Sequence, residues 1–230
     1  MLKNLIANFT ARIFRAAVGR LSSDLELTRS LQAAFSSASI VDLLMADANA
    51  CASRLDVMKT AYAATHGVGF ICELGVYKGQ SLNEIARHFK PIKVYGFDTF
   101  TGLPEFWRDG FPEGAFDVSQ LPLSFEDNCV LYKGLFDETL PGFLDDVGVP
   151  ARLIHVDCDL YSSTRSALRI LGPRIEPGTV LVFDEYFNYP GWQEHEHKAF
   201  REFLDSVGFD CKYLAYNKFG QQVAAVITSR

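Results

Sequence analysis

The sequence predicts an α/β fold: a doubly wound, mostly parallel seven-stranded sheet with a final antiparallel strand, preceded by a helical extension. Three observations carry this. From residue 67 onward short apolar runs alternate with segments of helical period, the pattern of a parallel sheet covered on both faces. The last two runs, 211–215 and 222–227, have no helix between them, so they close the sheet as a hairpin. Before that, up to about His66, the pattern is helical. The chain therefore divides into an N-terminal extension over 1–66, suited to dimerisation or to covering a substrate, and a main domain over 67–230.

In chain order, the first twenty residues place Leu2, Leu5, Ile6, Phe9, Ile13, Phe14 and Val18 at helical spacing among Lys3, Arg12, Arg15 and Arg20. No uninterrupted apolar core suits a secretory signal. An Arg-rich amphipathic start fits a transit peptide or a membrane-surface helix, but the preferred expectation is a helix docked on its own domain or on a second subunit. Ser22, Ser23 and Asp24 are candidate N-caps for a second helix, and 41–64 reads as another helix. Strands are expected at 68–74, 92–97, 129–132, 153–156 and 179–183, with helices at 81–89, 136–147, 162–171 and 193–207. Between the second strand and the third lies a loop over 99–123 rich in Gly, Pro and Phe. A loop that long in a compact domain is typically a lid or a binding loop.

Composition narrows the function. Apolar residues make up 48% and charged residues 22% of the 230 positions, enough for a sizeable core. Twenty-two basic residues against 28 acidic ones give a net charge of -6, so the basic surplus of a nucleic-acid binder is absent. The cysteines, Cys51, Cys72, Cys129, Cys158 and Cys211, are odd in number and form no C-x-x-C pair. They read as buried thiols of a cytoplasmic protein. No apolar stretch approaches the length needed to cross a bilayer.

Four strands end in acids: Glu73, Asp98, Asp157 and Asp184. In an open parallel sheet the ligand sits outside the carboxyl ends of the strands, and a sheet needs no acid there. The first motif, ICELGVYKGQS, is a strand, a turn through Gly75 and Gly79, and a helix start, whose free N–H groups suit an anionic group. It matches neither G-x-G-x-x-G nor a P-loop. In the second, VYGFDTFTGLP, Asp98 stands about twenty residues after the turn, the interval of an acid that binds ribose hydroxyls. The third and fourth, LIHVDCDLYSST and VLVFDEYFNYPGW, bring Asp157, Asp159, Asp184 and Glu185 to neighbouring strand ends. Four carboxylates converging there repel unless a divalent cation joins them, and oxygen ligands favour Mg²⁺, Ca²⁺ or Mn²⁺. Helix capping by Asp159 and a solvent-facing Glu185 are the alternatives. His155 reads as a core histidine, and His195 with His197 share no helix face. Tyr161, Tyr186, Tyr189 and Trp192 either line a pocket or pack at the sheet end.

Together these residues resemble a known family. ELGVYKGQS is similar to the cofactor loop of catechol O-methyltransferase-like enzymes. The stretch from about Arg54 to Ile227 resembles the macrocin O-methyltransferase (TylF-like) family through RLD at 54–56, ELGVYKG, GFDTFTGLPE, GLFDETLP, HVDCDLYSST and FDEYFNYPGW. The resemblance implies a Rossmann-like methyltransferase fold and a divalent-metal-dependent transfer from S-adenosylmethionine to a hydroxyl of a small molecule, a sugar or glycoside. It implies that Glu73, Gly75, Tyr77, Gly79 and Ser81 surround the methionine part of the cofactor and that Asp98 binds its ribose. Thr99 and Phe100 would flank the adenosine, with Gly134, Leu135 and Phe136 on the adenine side. Asp157, Asp184 and Glu185 would hold the metal, Mg²⁺ by preference, and Asp159 would be the general base. Leu160 stands where catechol enzymes carry a lysine, and Glu185 where the family usually has aspartate. A nucleotide-sugar or NAD-linked enzyme, or a cofactor-binding protein without turnover, is the alternative.

Overall fold

The computed structural model describes residues 2–230. Met1 and the side chains of 2–8, 21 and 22 lie outside the described residues, and with them Leu2, Lys3, Leu5 and Ile6 of the expected amphipathic face and Ser22 of the expected caps. Two helices, α1 (Leu2–Ser23) and α2 (Leu25–Leu44), lead the chain. Asp24 separates them, and its side chain accepts from the Leu27 N–H at 3.0 Å, an N-cap. Every described side chain of α1 up to Arg20 is exposed. The carboxyl half of α2 is held: the Ser37 hydroxyl accepts from Asn188 N–H at 2.8 Å, and the Ser36 hydroxyl from Trp192 Nε1 at 3.0 Å.

Next come β1 (Asn49–Cys51), α3 (Arg54–Ala64), β2 (Phe70–Leu74), α4 (Gln80–His88), β3 (Val94–Asp98) and β4 (Cys129–Lys133). They are followed by α5 (Phe136–Val147), β5 (Ala151–Val156), α6 (Tyr161–Leu171), β6 (Val180–Phe183), α7 (Glu196–Val207), β7 (Phe209–Asn217) and β8 (Val223–Ser229). The strands form one sheet in the order β1-β7-β8-β6-β5-β2-β3-β4. Only β8 runs against its neighbours. The expected architecture holds, with eight strands in place of seven.

The additional strand is β1, inside the span 41–64 expected to be one helix. The alanines around it, Ala46, Ala48, Ala50 and Ala52, favour a helix locally. Parallel pairing with β7, Asn49 opposite Ala215 through Cys51 opposite Asn217, overrides that preference. Ser53 then starts α3, its hydroxyl accepting from Asp56 N–H at 3.2 Å. Val57, Met58 and Ala61 of α3 are fully buried, in one core with Leu82 and Ile85 of α4 and with Ile71, Leu153 and Val182 of the sheet. Burial at that level is worth roughly 1.5–3 kcal/mol for each large apolar side chain. Within the span 1–66, β1 thus joins the sheet and α3 packs on it. The opposite face is covered by α5, α6 and α7, packed on Cys72, Leu74, Ile154, Val156 and Phe183.

The strand order reverses between β2 and β5: from β2 the chain winds outward to β3 and β4, then returns to β5 on the other side. A crevice opens at the carboxyl ends of strands at such a point.

Candidate active site at the strand ends

Two loops meet at the crevice. After β2 the chain turns through Gly75 (φ +89°), Tyr77 (φ +49°) and Gly79 (φ +77°), the last being the N-cap of α4. A Cβ on Gly75 would lie 2.6 Å from the Asp157 carbonyl carbon and would overlap its oxygen, so only glycine allows the β2 and β5 loops to come this close. Asp98, at the end of β3, fixes the turn. Its Oδ2 accepts from the N–H groups of Val76 and Tyr77, and its Oδ1 from that of Phe100, each at 2.7 Å. The Gly134 N–H donates to the Asp98 carbonyl at 3.0 Å, tying in the end of β4.

A cavity of about 550 Å³ lies against these loops. Of the residues singled out from sequence, Gly75, Tyr77, Asp98, Thr99, Gly134, Leu135, Phe136, Asp157, Asp159 and Glu185 line it. Glu73, Gly79, Ser81, Phe100 and Asp184 stand outside its lining. Glu73 is fully buried and bonded at Oε1 to His155 Nδ1 at 2.7 Å. Gly79 backs onto the Phe125 ring, so a Cβ there would collide with it. Ser81 is buried within α4. Phe100 is buried at φ +58° and offers its N–H to Asp98.

At the cavity wall is a dense set of acids. Asp157, Asp184 and Glu185 each present an oxygen within 4.8 Å of the others, and Glu73, His155 and Asp157 form a second such group. Burial, then the nearby Asp184 charge, pushes the Asp157 carboxyl well above the usual carboxylate range. Burial and the neighbouring Asp157 do the same to Glu185. The buried Oε2 of Glu185 has no hydrogen-bond partner. Asp184 goes the other way. Burial alone would raise it, but His155 and Arg54 outweigh that and hold it down at about 2. The Arg54 Nε donates to Asp184 Oδ1 at 2.7 Å, and Gln222 Nε2 donates to its Oδ2 at 3.2 Å. His155 Nε2 is 3.6 Å from Asp184 Oδ1, an electrostatic contact beyond hydrogen-bond length. Burial would lower His155, but Asp184 and Glu73 on its two sides carry it to about 10.

Asp159 differs from the rest. It has φ +63°, and the Leu160 N–H donates to the Cys158 carbonyl across it at 2.6 Å. That is a γ-turn, a strained conformation of the kind kept at functional sites. Burial raises its carboxyl to about 7, against the opposing pull of Arg108 and with the help of Asp184 and Asp98. It caps no helix: α6 has Leu160 at its N-cap and no side-chain cap bond.

Several functional residues escaped sequence reasoning. Arg54 appeared only as part of a motif. Trp107, Arg108, Phe111 and Phe116 of the long loop line the cavity, where Leu103 and Trp107 pack on Leu160. Glu196 is fully buried, and its Oε2 accepts the Glu185 N–H at 3.1 Å. Tyr186, Tyr189 and Trp192 are packed at the sheet end and lie outside the cavity lining. His155 is buried as expected of a core histidine, but it joins Glu73 to Asp184. The signal for this was present: Glu73 stands two residues before Gly75 and His155 two before Asp157, so adjacent parallel strands place them opposite each other.

A doubly wound α/β domain with a clamped glycine turn, an acid-lined cavity at its switch point and one carboxyl held near neutrality defines an enzyme that binds a nucleotide-like cofactor. Residues 72–186, half of the chain, match the family described as methyltransferase domain, and the chain belongs to that family. A curated relative from Streptomyces olivaceus, 8-demethyl-8-(2,3-dimethoxy-alpha-L-rhamnosyl)-tetracenomycin-C 4'-O-methyltransferase, is 30% identical over 143 residues, 51% of this chain and 53% of the relative. The chain spans about half the length of that curated relative. Among solved structures, the calicheamicin methyltransferase CalS11 is similar with a TM-score of 0.59 at 25% identity, over 75% of this chain and 78% of that one. The O-methyltransferase NovP shares the fold, with a TM-score of 0.55 at 19% identity over 76% and 80%. The Rossmann-like methyltransferase fold implied by the sequence resemblance is the fold of this chain, and no helix among its described residues is long and apolar enough to cross a membrane.

Proposed function

We propose that this chain is an S-adenosylmethionine-dependent O-methyltransferase acting on a hydroxyl of a small molecule, a sugar or glycoside. The observation that carries the reading is Asp159: a carboxyl held at about 7 on the wall of the cavity that the cofactor turn also lines. The relative from Streptomyces olivaceus, by its name a 4'-O-methyltransferase of a rhamnosyl compound, supports a sugar hydroxyl as acceptor.

In this reading Gly75, Tyr77 and the free N–H groups at the start of α4 receive the methionine end of the cofactor. Asp98 keeps one acceptor position at Oδ1 for a ribose hydroxyl. Thr99, Gly134, Leu135 and Phe136 flank the adenosine. The cofactor supplies an already electrophilic methyl group, so the protein's task is to align the acceptor oxygen and remove its proton. Asp159, ionised, takes that proton as general base.

The acids also fit a divalent cation. Asp157, Asp184 and Glu185 are an all-oxygen donor set, and the Glu185 Oε2 is a buried polar atom without a partner from the protein. Such a set suits Mg²⁺. Bound there, the ion would lower the pKa of an acceptor hydroxyl. Five free cysteines and the absence of a basic surplus support a cytoplasmic enzyme that takes no nucleic acid. The exposed Phe9 and Phe14 of α1 support a homodimer through that helix.

Calorimetry with S-adenosylmethionine and S-adenosylhomocysteine tests the reading. Binding of both, followed by methyl transfer to a panel of sugars and glycosides, is expected; binding of neither sinks it.

A further inference from the structure

Among the described residues, the cavity wall holds six carboxylates and a single cation, Arg108. The long loop between β3 and β4 carries it in. Its guanidinium lies 3.8 Å from the Trp107 ring centroid, with Tyr189 at 4.5 Å and Phe111 at 5.2 Å. Aromatic faces on several sides hold the planar group without using its N–H donors. Among the described residues Arg108 takes part in no ion pair. Even the adjacent Asp109 turns away, lying 3.7 Å from Arg29 of α2.

A second observation points the same way. Arg108 Nε and Trp107 Nε1 are both buried and both lack a hydrogen-bond partner. Trp107 is only 5% exposed. Buried donors without acceptors are rare in native proteins and costly. Here two neighbours in sequence, both on the wall of one cavity, are unsatisfied together. A ligand bearing a compact oxyanion would satisfy both. A neutral polyol would offer these donors no charged acceptor.

We propose that Arg108 and Trp107 form the recognition point for an oxyanionic group, of the phosphate or carboxylate class, carried by the methyl acceptor. The proposal rests on the methyltransferase reading for the word acceptor, but the anion site stands on its own geometry. In this site Arg108 supplies charge-assisted donors, and Trp107 supplies one N–H and the face on which the guanidinium is stacked. The loop that carries both residues packs through Leu103 and Trp107 on Leu160, next to Asp159. An anion held there sets the distance between the bound group and the base, so the site selects which hydroxyl is presented.

The test is calorimetric titration of the full chain with inorganic pyrophosphate and, separately, malonate, both in EDTA so that no divalent ion bridges them to the acids. Trp107→Phe keeps the aromatic face and removes the N–H; Arg108→Lys keeps the charge; Arg108→Met keeps neither charge nor donors. Loss of a charged hydrogen bond predicts that Arg108→Met binds the preferred anion about tenfold more weakly or worse, with smaller losses in Trp107→Phe and Arg108→Lys. Affinity for S-adenosylhomocysteine should be the same in all four proteins. Pyrophosphate binding without malonate binding assigns the phosphate class, and the reverse assigns carboxylates. No binding of either anion by the unmodified chain, or equal binding by Arg108→Met, overturns the proposal. So does a parallel loss of S-adenosylhomocysteine in all three variants, which would make the pair a staple of the loop. If the unmodified chain binds an anion through Arg108 but no S-adenosylhomocysteine, the methyltransferase reading fails and the anion site survives it.

Discussion

Replacing Gly75 with alanine tests how closely the two loops of the site are joined. The residue has φ +89°, and its added Cβ would lie 2.6 Å from the Asp157 carbonyl carbon. Neither partner is free to move. The Gly75 N–H donates to the Phe97 carbonyl and the Asp157 N–H to the Leu74 carbonyl, both at 2.9 Å. Three costs add: about 1–3 kcal/mol for a side chain at such a φ, about 1–3 for the overlap and about 1 for a strained ladder bond. The sum is roughly 3–7 kcal/mol, or a fall in Tm of roughly 6–28 °C for a chain of this size.

Gly178→Ala is the control. Its φ is +100°, but a Cβ there meets nothing within 4 Å, so only the conformational cost of about 1–3 kcal/mol applies. Urea unfolding of both variants, with coincident fluorescence and circular-dichroism transitions, should show Gly75→Ala less stable than Gly178→Ala by about 2–4 kcal/mol. Gly75→Ala should also lose S-adenosylhomocysteine binding, which Gly178→Ala keeps. Equal destabilisation by the two would refute the contact between the loops as the reason for Gly75.

Asp159→Asn should lower kcat by about 10²–10⁴-fold with little change in cofactor affinity. Because the base acts ionised and its carboxyl sits at about 7, kcat/KM should rise about tenfold from pH 6 to pH 8; a flat profile in the unmodified enzyme would remove Asp159 from the role. Asp157→Asn relieves repulsion within the acid group, so the metal-free Tm should hold or rise, while the rise on adding Mg²⁺ should vanish. An undiminished Mg²⁺-dependent shift, or rates unchanged in EDTA, would count against the metal site. For His155 the folded value of about 10 lies above its ordinary 6.5. Its ion pairs therefore stabilise fully below pH 6.5, and that contribution is lost as pH climbs through 10. Tm measured from pH 6 to pH 10 should fall less in His155→Gln than in the unmodified chain; superimposable declines would show that this pair contributes nothing.

Much of the sheet was legible because β2, β5 and β6 are buried on both faces and read as short apolar runs bounded by turn residues. β1 was not, since three residues, Asn49-Ala50-Cys51, carry no strand signal without β7 beside them. The Ser53-x-x-Asp56 pair, in which the Ser53 hydroxyl also donates to Asp56 Oδ2 at 2.8 Å, was the one local mark of a new helix start. Within the site, the acids at strand ends were legible because chain order and strand ends determine their place. Arg108 and Trp107 were not, since a loop with no periodicity gives no direction to its side chains. Glu196 stands in the first turn of α7, a usual place for an acid, and only the fold turns it inward onto the Glu185 N–H.

The cofactor half and the acid half of this site share their supports. Glu73 belongs by sequence to the cofactor turn, yet its carboxylate faces His155, which in turn faces Asp184. The alternation of side chains along a strand places Glu73, His155 and Asp184 on the same face of three adjacent strands, the face that α3 covers. There Arg54, the first residue of α3, closes the row. Asp98 gives three of its acceptor positions to backbone N–H groups, so its carboxylate is held in orientation before any ligand arrives. Gly75 allows the remaining contact, with the backbone of Asp157. A change to Glu73, Asp98 or Asp184 is therefore expected to register on both sides of the site. The sharper test of the metal reading is then a variant at Glu185, which lines the cavity but takes no part in the row from Glu73 to Arg54: Glu185→Gln should lose Mg²⁺ binding while S-adenosylhomocysteine affinity stays put, and joint loss of both would mean that the two halves cannot be separated even there.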